Sequence, residues 1–469
     1  MYWTIGASLY QASVQEAFEK LEAGAEIAPI TADASSAVRL GPELPSDRPK
    51  GRMVFEGARI VTLSKEGVLE DGVVVVDGDR IAAVGPKGSV SIPEGAQRWD
   101  ARGTTILPGL VDVHWHGTVG SAGWIPRRHW ILLASLFYGV TTLFDPSNDT
   151  ETIFAAADQQ RIGLLPAPRI FSTGTILYGA LGEYRAEVNS LEDALAHLRR
   201  MKAAGAVAVK SYNLLRRDQR QQVLEAARQV GLMVVPEGGA LLAQNLTQVV
   251  DGHTKIEHTV PVGRVYPDVL QLWAQTPVGY TPTLGVAFGG LDGEHYWYAK
   301  TEVWREQPLA RLVPRALLDA ASRRRTLAPE EEWNHIRQAE VARALAAVGV
   351  DVSLGAHGQR EGLAAHWELW SLVQGGMSPL EAWRAGSLAG ARSLGMERDL
   401  GTIEAGKLAD FVVIDGNPLE DIRQSTALRW VVANGRVYDA RRLEEIWPNR
   451  RFLGEFWFRE ADSSSVREP

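Results

Sequence analysis

The sequence predicts an α/β fold, a (β/α)8 TIM-type barrel that carries a small discontinuous β-sandwich domain. Eight short apolar segments alternate with helical patterns through the middle of the chain. Similar β-like segments occur on both sides of that region, and histidines stand at the ends of several apolar segments. A closed barrel is favoured over an open doubly wound sheet because no glycine-rich phosphate turn follows the first segment.

Composition excludes several classes of function. The chain has 469 residues, 45% of them hydrophobic, with a net charge of −8 and no cysteine. An acidic chain is unsuited to binding nucleic acid, and the absence of thiols excludes disulfides and cysteine nucleophiles. Because no stretch reaches the ~18 apolar residues of a membrane span, we expect no such span.

The N-terminal segment of the sequence lacks the pattern of an export signal. A cytoplasmic location is the default expectation, and an extracytoplasmic one applies if the chain is a processed or truncated form. We expect a small-molecule substrate and no nucleic-acid partner. The sequence is compatible with a homo-oligomer.

The chain divides by composition into four parts. Residues 1–51 are predicted to be an N-terminal arm or linker, and residues 446–469 a C-terminal tail. Residues 52–104 and 398–445 share alternating apolar runs broken by Gly and Asp, which predicts one composite β-sandwich domain. Residues 105–397 form the predicted barrel. Its eight expected strands are 105–113, 140–144, 169–172, 206–210, 233–235, 255–257, 279–283 and 351–354.

A His-x-His pair closes the first expected barrel strand. In a strand, alternate side chains share a face, so His114 and His116 point into one space while Trp115 points away. Two such residues are also common as plain surface histidines. The apolar run that precedes them, with Asp112 inside it, favours a metal-ligand arrangement, since a carboxylate can orient a ligating imidazole.

Further ligand-competent residues stand at other expected strand ends. Lys210 ends the fourth strand, Glu237 follows the fifth, His258 the sixth and His357 the eighth. Each taken singly has a structural explanation. Together they meet the demand of a barrel, whose catalytic groups lie at the carboxyl ends of several strands. By contrast, His197 and His335 are expected on helix surfaces.

These residues carry a resemblance to the amidohydrolase superfamily of metal-dependent barrels, over about residues 52–439. In particular the chain resembles the C-terminal amidohydrolase part of proteins whose N-terminal half is a β-propeller, and residues 2–6 resemble their junction. The matching segments are 108–116, 139–142, Lys210, 256–258 and 400–415.

The resemblance implies a centre of two divalent metal ions. His114 and His116 would bind one ion, His258 the other, and Lys210, carboxylated by CO2 at its Nζ, would bridge both. A hydroxide bridging the ions would be the nucleophile. Zinc is the expected metal, with manganese, iron and cobalt as alternatives.

The sequence departs from the family pattern at two positions. The fifth strand commonly ends in a histidine where this chain has Glu237, and the eighth commonly carries an aspartate where it has His357. We expect Glu237 to ligate the second ion and His357 to lie near the hydroxide. The proton of the leaving nitrogen would be handled by His357 or Glu237, and the alternative is that one of them only lines the pocket.

The expected activity is hydrolysis of an amide, a cyclic amide or a related C–N bond, or of an ester. A metal-dependent deaminase is the enzymatic alternative, and a catalytically silent barrel scaffold is the alternative from another class. The residues considered for substrate contact or ligand orientation are Asp112, Tyr212, His253, Tyr280 and Tyr296. Asp145 and Tyr212 stand near strand ends, where a structural role is favoured for each, and Trp124 lies in the first loop between a strand and a helix.

Overall fold

The computed structural model describes residues 1–5, 7–15, 18–19, 37–121, 123–178, 188–214, 216–454, 456 and 458. Much of the predicted N-terminal arm, and the predicted tail from residue 459 onward, lie outside the described residues. None of the described helices is both long enough and apolar enough to cross a membrane.

The described part of the chain alternates strands and helices. The strands are β1 (Tyr2–Ile5), β2 (Ser8–Gln11), β3 (Val38–Arg39), β4 (Arg52–Val61), β5 (Val68–Asp77), β6 (Arg80–Pro86), β7 (Gln97–Asp100), β8 (Thr104–Pro108), β9 (Leu110–Asp112), β10 (Val140–Asp145), β11 (Arg169–Ser172), β12 (Leu177–Tyr178), β13 (Ala208–Tyr212), β14 (Met233–Pro236), β15 (Lys255–Glu257), β16 (Gly279–Thr281), β17 (Phe411–Asp415), β18 (Leu428–Ala433), β19 (Arg436–Asp439), β20 (Glu444–Trp447) and β21 (Arg451–Phe452).

The helices separate these strands most regularly in the middle of the chain. They are α1 (Trp130–Phe137), α2 (Thr150–Arg161), α3 (Leu191–Ala204), α4 (Arg217–Val230), α5 (Leu242–Asp251), α6 (Pro267–Ala274), α7 (Gly293–Lys300), α8 (Gln307–Leu312), α9 (Arg315–Arg323), α10 (Asn334–Ala347), α11 (Leu363–Gln374), α12 (Pro379–Arg384) and α13 (Gly390–Ser393).

Local sequence signals set the ends of several helices. The Ser190 side chain accepts the backbone N–H of Asp193, and the Asp193 carboxylate accepts the backbone N–H of Ser190. These two bonds form a capping box at the start of α3. Gly205 ends α3 and Gly231 ends α4, both with the positive φ that glycine adopts without strain. At these glycines the chain leaves the helix and turns toward the next strand, β13 after α3 and β14 after α4.

The central strands pair in parallel. β9, β10 and β11 form one group, β12, β13 and β14 a second, and β15 and β16 a third. Backbone bonds link the groups, from Val207 N–H to the Ser172 carbonyl (3.4 Å) and from Thr254 N–H to the Val234 carbonyl (3.0 Å). The architecture is therefore mixed α/β, with parallel strands joined through helices.

The first expected barrel strand, 105–113, is two strands in different sheets, so its prediction as one strand was wrong. β8 pairs antiparallel with β17, whereas β9 pairs parallel with β10. The break falls at Gly109, where a Cβ would lie 2.2 Å from Thr141 Oγ1. Close backbone packing at this glycine separates the two strands.

The eighth expected strand, 351–354, is reduced to a single parallel bridge between Val352 and Tyr280. Backbone bonds on either side nevertheless hold it between the first and seventh strands. Ser353 N–H donates to the Tyr280 carbonyl (2.8 Å), and Val113 N–H donates to the Leu354 carbonyl (3.0 Å). This segment delivers His357 to the neighbourhood of His114.

A ten-stranded sheet joins the two flanking regions of the sequence. Its main path runs β21-β20-β19-β18-β17-β8-β4-β5-β6, with β7 beside β4. The sheet is continuous because β8 pairs with β17 on one side and β4 on the other, where the sequence led us to expect two sheets in a sandwich. β20 and β21 extend it into residues expected to belong to the tail. Side chains from both regions, including Phe55 and Phe411, share one hydrophobic cluster.

Two histidines expected on helix surfaces are buried, so that expectation was wrong. His197 is 4% exposed and His335 is 0% exposed. His197 accepts a hydrogen bond from Arg200 at 2.8 Å, and His335 contacts the Gln374 side chain at 3.2 Å. Local polar partners let these imidazoles lie inside the protein.

Candidate metal centre

Four imidazoles gather at the carboxyl ends of the parallel strands. The ring centroids of His114 and His258 are 4.7 Å apart, and those of His116 and His357 are 4.8 Å apart. His357 also lies 5.1 Å from both His114 and His258. The structure thus brings together the four histidines that the sequence placed at strand ends.

Unusual backbone conformations turn two of these side chains into the cluster. His258 has φ of 67° and His357 has φ of 58°, in the left-handed region that non-glycine residues rarely adopt. Gly355 and Gly358 allow the loop to approach closely, since a Cβ at Gly355 would lie 2.7 Å from His114 Cβ. At Gly358 it would lie 2.1 Å from the His116 carbonyl oxygen. Such strain is typical of functional sites.

The first two imidazoles are held by buried carboxylates through Nδ1. Glu257 Oε2 lies 2.5 Å from His114 Nδ1, and Asp145 Oδ1 lies 3.1 Å from His116 Nδ1. Lys255 contacts the other oxygen of Glu257 at 3.0 Å, and both members of this pair are buried. The Nε2 atoms of His114 and His116 then face one another at 3.1 Å.

The other two imidazoles are held at Nδ1 by neutral side chains. His258 Nδ1 lies 2.7 Å from Thr283 Oγ1, and His357 Nδ1 lies 3.0 Å from Gln359 Oε1. All four rings therefore use Nδ1 for a polar partner, which leaves Nε2 for the cluster. Ligating histidines in proteins commonly have their second nitrogen hydrogen-bonded in this way.

Lys210 and Glu237 complete the cluster. Lys210 Nζ lies 2.7 Å from Glu237 Oε2, and His258 Nε2 lies 2.9 Å from Glu237 Oε1. Burial alone would raise the pKa of Glu237, but the Lys210 ammonium and the bond to His258 lower it to about 2. Glu237 is therefore an anion that contacts two other candidate site residues.

Burial keeps the imidazoles of His114 and His357 neutral. It lowers the pKa of His114 well below its usual value and that of His357 to about 3, with the neighbouring cationic groups acting in the same direction. Ligand nitrogens of His114, His258 and His357 lie within 4.8 Å of one another, a spacing that can hold a metal ion. Neutral imidazoles are the form that binds metals.

Asp112 orients backbone rather than an imidazole ring. Its Oδ1 accepts the N–H groups of His114 (3.2 Å) and Ala356 (3.1 Å), which ties the first strand to the loop before His357. Burial raises the pKa of Asp112 to about 7. The Asp112 carboxylate thus holds the segment that carries His114 against the segment that carries His357.

The residues considered for substrate contact lie in other surroundings. Tyr280 is fully buried beside Trp273, and its hydroxyl accepts the Val260 N–H. Tyr296 is 7% exposed, and its hydroxyl donates to Glu330 at 2.7 Å. Both belong to the hydrophobic core, which argues against a direct substrate contact.

The remaining two candidates differ in position. His253 precedes β15, at the opposite end of that strand from His258, and its Nδ1 contacts the Gln248 carbonyl at 3.0 Å. This place argues against a role beside the cluster. Tyr212 is the last residue of β13, two residues after Lys210, and is half-buried.

Sequence reasoning missed the residues that hold the rings. Glu257 could have been found, since it directly precedes His258 on a buried strand. Thr283, Gln359 and Lys255 carry no local signal, because their contacts depend on how distant loops meet. Asp145 was interpreted as structural, and the structure places it against His116.

Comparison with known proteins agrees with this architecture. The chain is 26% identical over 390 residues to adenine deaminase 2 of Bradyrhizobium sp. strain ORS 278, covering 80% of this chain and 56% of that protein. It therefore spans little more than half the length of the adenine deaminases it matches. It is also 26% identical to imidazolonepropionase of Roseobacter denitrificans, covering 77% of this chain and 93% of that enzyme.

A solved structure and a family profile extend the comparison. The crystal structure of a Xaa-Pro dipeptidase with bound methionine shares the fold, with a TM-score of 0.63 and 21% identity, over 83% of this chain and 100% of that one. The profile described as "Amidohydrolase family" matches residues 105–437, which include every residue of the imidazole cluster. The chain belongs to the amidohydrolase family.

Proposed function

We propose that this chain is a metal-dependent enzyme that hydrolyses an amide, a cyclic amide or a related carbon–nitrogen bond of a small molecule. One observation carries the proposal. Four imidazoles, each held through Nδ1, turn their Nε2 atoms toward one space that also contains Lys210 and Glu237. A silent scaffold would have no need for four oriented imidazoles.

The donor set fits divalent metal ions of the zinc, manganese, iron and cobalt group, with zinc as our first choice. His114, His116, His258, His357 and Glu237 would hold two ions. When bound, such ions supply a Lewis acid and lower the pKa of water to ~7. This chemistry suits attack on a carbonyl-type carbon.

Charge balance links the metals to a modification of Lys210. Its Nζ is buried beside Glu237 as an ammonium–carboxylate pair. An ammonium cannot bind a cation, whereas loss of two protons and addition of CO2 at Nζ would give a carbamate whose two oxygens share one negative charge. Two neighbouring buried anions are unfavourable unless cations lie between them. We therefore expect the carbamate and the metals to be acquired together.

His357 and Glu237 are the groups we assign to proton transfer. Both lie in the cluster, and both can accept a proton from the attacking water and return it to the leaving nitrogen. The bond from Glu237 to Lys210 favours a ligand role for Glu237. His357 can exchange protons with substrate only while its Nε2 is not bound to an ion, because its Nδ1 already contacts Gln359.

The scaffold we infer for this chemistry is a closed (β/α)8 barrel within residues 105–397, whose first strand is β9, beside a composite domain of residues 52–104 and 398–445 that β8, β20 and β21 extend. The parallel pairs, together with the backbone bonds 172–207, 234–254, 280–353 and 113–354, support closure. A barrel of this type carries its active site at the carboxyl ends of the strands, where the imidazoles lie.

Deamination is a second candidate, favoured by the likeness to adenine deaminases over 80% of the chain. It is the same hydrolysis directed at an amidine carbon, with ammonia as the leaving group. The buried Lys210 beside Glu237 favours the amide reaction, since ions held by Glu237 and a carboxylated Lys210 would stabilise the negative charge that develops on a carbonyl oxygen.

A substrate screen tests the proposal. Protein reconstituted with zinc and bicarbonate would be assayed on amides, cyclic imides, N-acyl amino acids, dipeptides and adenine. We expect one class to be hydrolysed, with the rate lost to a chelator and in His357→Asn. His295→Ala is the matched control, because His295 is an exposed imidazole on α7 paired with Asp292. Turnover that survives complete metal removal would contradict the proposal.

A further inference from the structure

A chain of three side chains runs from His357 to a distant helix. His357 Nδ1 lies 3.0 Å from Gln359 Oε1, and Gln359 Nε2 donates to Glu294 Oε2 at 2.6 Å. Gln359 follows His357 in the same loop, whereas Glu294 lies in the first turn of α7. Glu294 thus reaches the imidazole through one amide group.

The chemistry of the three groups fixes the direction of both bonds. A carboxylate only accepts, so the NH2 end of the Gln359 amide must face Glu294. The carbonyl end then faces His357, and because a carbonyl also only accepts, His357 Nδ1 must carry the proton. The neutral ring is the form that binds a metal ion. A neutral ring has one N–H, so Nε2 presents a lone pair.

The position of Glu294 is itself fixed by packing. The Asp292 side chain accepts the His295 N–H at 3.0 Å, which holds the first turn of α7. Gly293 lies so close to the Leu284 carbonyl that a Cβ there would be 2.8 Å from its oxygen. Leu284 N–H in turn donates to the buried Glu368 at 2.9 Å. Glu294 therefore stands on an anchored segment.

We propose that Glu294 is a positioning residue that, through the Gln359 amide, holds His357 in the Nδ1–H tautomer with Nε2 directed to the cluster. The metal-binding consequence rests on the proposed function, but the tautomer does not. Glu294 belongs to α7, in the long segment between the seventh and eighth strands, so this segment would set the tautomer of His357. This matters most at His357, where the chain departs from the aspartate common in the family.

Exchanging the two side chains tests the proposal. In Glu294→Gln the acceptor becomes an amide that can also donate, so Gln359 can turn and the proton can move to Nε2. In the double variant Glu294→Gln/Gln359→Glu, the new carboxylate at position 359 accepts from His357 Nδ1 and from the new amide at position 294. We expect the single variant to mix tautomers and the double variant to restore Nδ1–H.

The first measurement is the imidazole nitrogen spectrum of metal-free, [15N]histidine-labelled protein, with the His357 signals assigned by their loss in His357→Asn. The second is zinc affinity, which we expect to fall ~10–100-fold in Glu294→Gln and to recover in the double variant. Glu302→Gln is the matched control, since Glu302 is an exposed carboxylate of the same segment, paired with Arg305.

A wild-type spectrum with the proton on Nε2 would overturn the proposal. An unchanged tautomer in Glu294→Gln, or a double variant no better than the single one, would also overturn it. If the wild-type protein binds no zinc but the tautomer responds as expected, the proposed function fails and this inference stands. The swap also separates positioning from folding, because a variant that merely unfolds is not restored by a second change.

Discussion

We expect the replacement of Glu257 by glutamine to lower both the unfolding free energy and the zinc affinity, because it changes the contacts that residue 257 makes with Lys255 and His114. The carboxylate forms an ion pair with Lys255 Nζ through Oε1 (3.0 Å) and contacts His114 Nδ1 through Oε2 (2.5 Å), and it is fully buried. A glutamine has one acceptor oxygen. Since the Lys255 ammonium can only donate, the oxygen turns to Lys255 and the NH2 group faces His114.

Two effects of defined size follow. Loss of the carboxylate leaves the buried Lys255 ammonium without its ion-pair partner, although its bond to the Val113 carbonyl (3.0 Å) remains, and this costs ~3–5 kcal/mol of unfolding free energy. His114 must accept at Nδ1, so its proton moves to Nε2, and we expect zinc affinity to fall ~10–100-fold. Denaturant unfolding of metal-free protein measures the first effect, and zinc titration measures the second.

The double variant Lys255→Met/Glu257→Gln supplies the control. With no ammonium to satisfy, the glutamine oxygen can again accept from His114 Nδ1, and no charge is left buried. We expect most of the lost stability and zinc affinity to return. A Glu257→Gln protein as stable as the wild type, or a double variant no better than the single one, would refute the reasoning.

Three other predictions concern neighbouring groups. Asp145→Asn removes the carboxylate at His116 Nδ1 (3.1 Å), and we expect zinc affinity, measured by titration, to fall ~10-fold or more; an unchanged affinity would contradict this role. Burial raises the pKa of Glu368 to about 8 from 4.5, so the folded state holds a proton that the unfolded state releases, and the stability contributed is lost as pH rises from about 4.5 to 8. Glu368→Gln keeps an acceptor for the Leu284 N–H, and we expect the difference in unfolding free energy between variant and wild type to rise over this window; a flat difference would count against it. The Phe288 ring lies 5.7 Å from that of His258 and is 39% exposed, so Phe288→Ala should raise KM ~10-fold for substrates with an apolar group and change kcat little, an effect of ~1.4 kcal/mol; an equal loss on polar substrates would exclude a packing role.

The position of the candidate ligands at strand ends was predictable from the sequence because it depends on local geometry. His114 and His116 share a face through the two-residue period of a strand, and His258 directly follows the short buried strand β15. The strand positions were mostly predictable for the same reason. The split at Gly109 was not, since it depends on contact with Thr141, a residue on the neighbouring strand.

The surroundings of the imidazoles depend on long-range contacts. Thr283 reaches His258, and Glu294 reaches His357 through Gln359, only after loops from different strands have packed together. The periodicity of the sequence does not predict such contacts between distant loops. His197 lies on the buried face of α3 with Ala194, Leu198 and Met201, and its burial was missed because the local partner Arg200 makes an internal position tolerable for an imidazole.

Metal content measured together with the state of Lys210 tests the central claim most directly. After reconstitution with zinc and bicarbonate and removal of free metal, we expect about two zinc ions per chain and a mass increase of one CO2 on Lys210 under non-denaturing conditions. Lys210→Ala should lose both the added mass and at least one ion. A wild-type chain that binds no zinc, or a Lys210→Ala chain that keeps the full complement, would contradict the claim that these side chains form a two-metal centre.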